Sequence, residues 1–120
     1  MTEEQDLVYR DDPAPDAPKP SPKPAPTDAE VSESFTPSEV QLFRYSALTF
    51  NGHRIHYDHP FSTGSEGYGG LVVHGPLLAL LLLDLLRRER PDAVVRRFEF
   101  KALSPLMDTD PFDLCGADLR

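Results

Sequence analysis

Three of the chain's four histidines, His53, His56 and His59, lie within seven residues of one another, and Asn51 stands just ahead of them. Imidazole is the side chain whose ordinary pKa of ~6.5 lets it take and return protons near neutral pH. The segment from Leu48 to Pro60 therefore gathers side chains able to do general acid–base chemistry. Asn51 carries no proton in that range, but its amide can orient a water or hydroxyl by hydrogen bonding. The fourth histidine, His74, stands directly before Gly75-Pro76. Each of these residues also fits a plain structural role. Asn51-Gly52 is an ordinary turn dipeptide, His53 and His56 fit as loop, surface or capping imidazoles, and His74 fits as a polar residue packed at a strand-to-helix turn.

The elements that must hold these groups are partly legible. Phe35-Thr36-Pro37-Ser38-Glu39 reads as a strand end passing into a helix, with Thr36 or Ser38 as cap and Pro37 at a tolerated early position. Val40, Leu42, Phe43 and Ala47 are its expected apolar face. From Ser62 to Gly70, glycine and small polar residues mark a mobile loop. Leu71-Val72-Val73-His74 then leads into the best-formed element, in which every residue from Leu77 to Leu86 except Asp84 is Leu or Ala. Gly75 and Pro76 open this helix, Arg87 and Arg88 complement its C-terminal dipole, and Pro91-Asp92 stops it. Its leucines cover all faces, so a curved sheet or a partner protein is expected to enclose it. Ala93 to Ala102 alternates, with Val94, Arg96, Phe98 and Phe100 on one side and Arg97, Glu99 and Lys101 on the other, which predicts a strand. Phe112 to Cys115 begins another, and the chain ends at Arg120 with that strand scarcely started.

Composition sets the limits. The 120 residues carry 20 acidic and 12 basic side chains, for a net charge of −8. Residues 1–41 hold 10 of the acidic residues and 3 of the basic ones, so the acidity belongs to the N-terminal third. Seven of the 13 prolines fall between Pro13 and Pro26, which makes residues 11–34 a disordered, acidic, proline-rich linker with too little apolar surface to offset ordering entropy. The core must come from about eighty residues, a size at which burial is marginal. A single cysteine, Cys115, excludes a disulfide scaffold and a thiolate-rich zinc site, and it reads as a small buried apolar residue. The acidic start has no signal or transit pattern, and the leucine run falls short of the ~20 residues a bilayer needs. A cytoplasmic location is expected, or the mitochondrial matrix in a eukaryote, with neither membrane nor nucleic acid as a partner.

The motifs become specific when taken in order. Phe50-Asn51-Gly52-His53-Arg54-Ile55-His56-Tyr57-Asp58, then Glu66-Gly67-Tyr68, then Gly70-Leu71-Val72-Val73-His74-Gly75-Pro76-Leu77 resemble the MaoC-like hydratase/dehydratase family. Within it they look most like hydroxyacyl-thioester dehydratases of type 2 and mesaconyl-C4-CoA hydratases. The resemblance implies an α+β hotdog fold, an antiparallel sheet wrapped around a long apolar central helix. Residues 35–120 would be a partial hotdog domain, incomplete at its C-terminus. Residues 1–10 resemble the end of a preceding hotdog half, with 11–34 as the linker. The broader family places an Asp five residues before the catalytic His. Here the His position falls on His56 and the Asp position on Asn51, so acid–base work would rest on His56 alone.

The implied reaction is reversible addition of water to a trans-2-enoyl thioester, giving a 3-hydroxyacyl thioester. His56 and Asn51 would be catalytic, with Gly70, His74 and Gly75 around the thioester carbonyl. His53, Tyr68, Arg97 and Lys101 are further substrate-binding candidates, although Arg97 and Lys101 fit equally on a solvated strand face. No metal and no separate cofactor is implied, because pantetheine arrives as part of an acyl-CoA or acyl-carrier-protein substrate. A homodimer, or pairing with a second hotdog half, is the expected assembly. The alternative is an inactive fragment or an interaction module that needs a partner to bury its leucine helix.

Overall fold

The computed structural model describes residue 2, residues 4–6 and residues 24–117. The expectation for residues 1–10 and for most of the linker falls largely outside these residues. The architecture is α+β: strand β1 (Val31–Phe35), helix α1 (Glu39–Thr49), helix α2 (Gly75–Glu89) and strand β2 (Phe112–Gly116). The two strands form an antiparallel sheet in which Val31 faces Gly116 and Phe35 faces Phe112. At the Phe35 end the two aromatic rings meet at 5.3 Å, the cross-strand contact that fixes this register. Strand β1 thus starts inside the stretch expected to be linker, because residues 31–34 find a full ladder of partners on β2.

α1 begins where expected. Ser38 is its N-cap and accepts the Gln41 N–H at 3.3 Å, while Pro37 precedes the cap. Its inward face differs from the expectation. Leu42 and Ser46 are buried and Tyr45 packs on the core, whereas Val40 and Phe43 are exposed. The helical spacing of positions 42, 45 and 46 sets this face, and a hydroxyl sits in it because His74 provides its partner. The helix closes on Phe50, whose φ of 54° places it in the left-handed region, and Asn51 follows directly.

α2 takes Gly75 and Pro76 as its first two residues, with His74 as N-cap. It packs on β2, burying Leu77, Ala79 and Leu85. Arg88 pairs with Asp84 on its own helix and with Glu33 of β1 at 2.6 Å, tying the end of α2 to the sheet. Two strands cover one side only, and Leu80 and Leu82 remain exposed. The core is small: Leu42, Leu71, Val73 and Leu77, with Tyr45, Leu78, Leu81, Leu106 and Phe112 packed against them.

The segment from Ala93 to Ala102 forms no paired strand among the described residues. Its side chains nevertheless keep the alternation, since Phe98 stacks on Phe100 and Arg97 pairs with Glu99, each two residues apart. A strand needs a neighbouring ladder to become sheet, and among the described residues none lies beside this segment. Cys115 is also unlike its expectation. It is exposed, its sulfur lying 3.7 Å from the Ser32 hydroxyl across the sheet.

Candidate functional site

The histidine segment is folded on itself by local bonds. Asn51 Oδ1 accepts the His53 N–H at 3.0 Å, and the Tyr57 hydroxyl donates to the Gly52 carbonyl at 2.9 Å. Arg54 makes a two-nitrogen contact with Asp58 and lies over the Phe61 ring. Asp58 in turn accepts the Phe61 N–H, and its carboxyl is held below the usual range by the Arg54 hydrogen bonds. These contacts turn residues 54–56 into a short helical turn that buries Ile55 and His56.

The next strip of chain closes over that turn. Val72 N–H donates to the Ile55 carbonyl at 2.9 Å, Val73 N–H to Leu106, and Asp108 N–H to Leu71. The loop expected to be mobile is instead tied down. Buried Ser62 donates to the Gly70 carbonyl at 2.7 Å, and the Tyr68 N–H donates to the Ser62 carbonyl. Gly70 therefore serves packing and not open access. A Cβ there would lie 2.6 Å from Asp108 Oδ1 and 2.8 Å from Thr109 Cγ2, and the same Asp108 oxygen accepts the Leu71 N–H. Gly75 is different, because open space lies beside its Cα.

At the centre, His56 Nδ1–H donates to the Val72 carbonyl at 2.7 Å. A carbonyl oxygen can only accept, so the neutral ring carries its proton on Nδ1 and leaves the lone pair on Nε2. Burial pushes the His56 pKa below its ordinary value, and nearby His53 adds to that, while the Val72 bond opposes it. Neutral imidazole with a bare Nε2 is the form a general base requires. The His74 ring stacks on His56 at 3.7 Å, 16° from parallel, and His53 meets His56 edge-on at 5.7 Å. His74 is 1% exposed, and burial followed by the charge of His56 lowers its pKa to about 4.

The chain thus brings Asn51, His53, His56, His74 and the start of α2 into one cluster. Arg97 lies on the exposed segment with Glu99 as its ion-pair partner, and Lys101 is exposed on the same segment. Neither makes a hydrogen bond or ion pair to the histidines among the described residues. Tyr68 is half-buried in the loop that closes over Ser62. Two participants were not anticipated from sequence. Ser46 lies 2.8 Å from His74 Nε2, and Tyr45 meets the His74 ring edge-on at 4.8 Å. Sequence offers no signal for either, because the inward face of α1 is decided by packing. No three His, Cys, Asp or Glu side chains among the described residues converge to hold a metal ion, and no described helix is long and apolar enough to cross a membrane.

Comparison with known proteins places this arrangement in context. The family model for hydroxyacyl-thioester dehydratase type 2 matches residues 1–108. Over 115 residues the chain is 49% identical to a mesaconyl-C(4)-CoA hydratase of Chloroflexus aurantiacus, covering 95% of this chain and 40% of that protein. It is 43% identical over 83 residues to a mitochondrial hydroxyacyl-thioester dehydratase type 2 of Schizosaccharomyces pombe, covering 68% of this chain and 28% of that protein. A protein of the same name from Saccharomyces cerevisiae is 25% identical over 88 residues, or 72% of this chain and 30% of its own length. The chain spans less than half the length of each of these curated relatives.

Proposed function

Because the chain belongs to the hydroxyacyl-thioester dehydratase type 2 family, we propose that it carries the acid–base centre of a lyase that interconverts trans-2-enoyl and 3-hydroxyacyl thioesters, within a hotdog-type domain. The observation that carries this reading is the hydrogen bond from His56 Nδ1–H to the Val72 carbonyl, which leaves Nε2 as a base. Nε2 removes a proton from water as the water oxygen bonds to the β-carbon. The π electrons of the double bond move toward the thioester, and negative charge gathers on its oxygen. His56 then returns the proton to the α-carbon, so that one water is added and nothing is oxidised.

The developing oxyanion needs donors that are in place beforehand. α2 supplies them at its first turn, where backbone N–H groups lack intrahelical partners and the dipole is positive. Pro76 has no N–H, which leaves Gly75 and Leu77 as the donors, with the open side of Gly75 admitting the thioester. Asn51 orients the water through Nδ2, since its Oδ1 is engaged by the His53 N–H. The substrate is a CoA or acyl-carrier thioester that brings its own pantetheine. A short branched or dicarboxylic acyl group is the favoured class, on the strength of the relative named mesaconyl-C(4)-CoA hydratase. The exposed leucines of α2 and the unpaired 93–102 segment take a second copy or a second hotdog half as their cover.

The test is hydration of crotonyl-CoA and mesaconyl-CoA by the 120-residue chain, followed as loss of enoyl-thioester absorbance beside circular dichroism. Turnover of either substrate that His56→Ala abolishes without changing the dichroism is the expected result. A folded chain that hydrates neither would overturn the proposal.

A further inference from the structure

His74 and Ser46 have no part in the proton transfers above, yet they are among the most buried polar residues described. His74 is held on three sides. Ser46 Oγ bonds its Nε2 at 2.8 Å, the Tyr45 ring meets it edge-on at 4.8 Å, and its other face lies flat on His56 at 3.7 Å. Ser46 and Tyr45 are neighbours on α1, whereas His56 belongs to the turn after that helix and His74 is the N-cap of α2. Three elements thus meet through one imidazole.

From this geometry we infer that Ser46 and His74 form a positioning pair, a tethered neutral plate that sets the ring plane of His56 and so holds its Nδ1–H on the Val72 carbonyl. The inference rests on the reading of His56 as the base. Stacked aromatic rings resist tilting against one another, and the 16° between these two means that fixing one plane fixes the other. A plate without a tether could turn in its slot, and the Ser46 hydrogen bond removes that freedom. The chemical identity of the plate supports this role. His74 Nδ1 is buried with no hydrogen-bond partner among the described residues, a cost that a phenyl ring would not carry. What imidazole adds here is the Nε2 contact to Ser46. The plate also stays neutral, since two imidazolium rings at this separation would repel strongly in a buried setting. The titratable groups facing His56 are His53 at its edge and His74 on its face, with Tyr45 beyond.

The tautomer of His56 reports the inference directly. In the ¹⁵N-labelled 120-residue chain, slightly above neutral pH, two-bond proton–nitrogen correlation spectra are expected to show His56 with Nδ1 protonated and Nε2 bare. Ser46→Ala is expected to mix the two tautomers, and His74→Leu to mix them further. On the enzyme, Ser46→Ala is expected to lower kcat roughly 10- to 100-fold, the size of effect that loss of an orienting partner has for metal-ligating histidines, with KM little changed. A locked His56 tautomer in a folded Ser46→Ala chain would overturn the inference, and Ser46→Ala decides alone if His74→Leu fails to fold. The spectra need no turnover. Activity that survives His56→Ala overturns the base assignment, whereas a tautomer that survives loss of the tether and the plate overturns this one.

Discussion

At the scale of single residues the chemistry depends on where protons sit. His56 is the one described histidine whose ring donates to a backbone carbonyl, and its Nε2 lone pair follows from that bond. Replacing it with alanine is expected to lower the hydration rate roughly 100- to 10,000-fold, the usual contribution of a positioned general base, while thermal melting shows a chain that remains folded. His74 has a separate consequence for stability. Its pKa falls from 6.5 to about 4 on folding, so between those values the unfolded chain binds the extra proton and the folded chain does not. The associated stability is complete above pH 6.5 and is lost as pH falls toward 4, a loss of about 3 kcal/mol at 1.36 kcal/mol per pH unit. Chemical denaturation across that interval is expected to show the decline in the wild type and a shallower one in His74→Phe. Asn51, His53, His56 and His74 were legible as a motif. Ser46 was not, because it stands 28 residues from the ring it tethers, and nothing local marks a helix serine as inward.

At the scale of elements, two glycines of one motif have different duties. Gly70 is filled in by Asp108 and Thr109, and Gly75 faces open space. Gly70→Ala must displace an aspartate that is holding the Leu71 N–H, and it is expected to destabilise the chain by about 1–3 kcal/mol, as overpacking does. Gly75→Ala is expected to leave the melting temperature near its original value and to raise KM or lower kcat, because its Cβ would narrow the approach to the first turn of α2. Finding the two effects exchanged would show that the thioester approaches from the side of Gly70. Both helices and the start of β2 were readable from caps and residue types. The inward face of α1 was not, since Val40 and Phe43 look as apolar as Leu42 and only packing decides between them. The alternation from Val94 to Ala102 predicted a strand that does not form among the described residues, because alternation says nothing about whether a neighbouring strand exists.

At the scale of the whole molecule, the described residues hold a site better formed than the core beneath it. Leu80 and Leu82 on α2, and Val94, Phe98 and Phe100 on the unpaired segment, are exposed. Exposed apolar side chains in this number favour association. Sedimentation is expected to show the isolated chain associating as its concentration rises, and Phe98→Lys with Phe100→Lys to shift it toward monomer without changing its helix content. The division between an acidic, proline-rich N-terminal third and a nearly neutral remainder was visible in composition, whereas Val31–Phe35 as a strand was not, because its partner lies more than seventy-five residues away at Phe112–Gly116. The proposed chemistry centres on His56. The most direct measurement is the pH dependence of kcat/KM for crotonyl-CoA hydration by the 120-residue chain. Because the base must be unprotonated and burial lowers its pKa, the rate is expected to hold down through pH 6.5 and to fall along a single limb below it, with the whole profile lost in His56→Ala. A profile that is flat across this range, or one that persists after His56 is removed, would contradict the central role given to that residue.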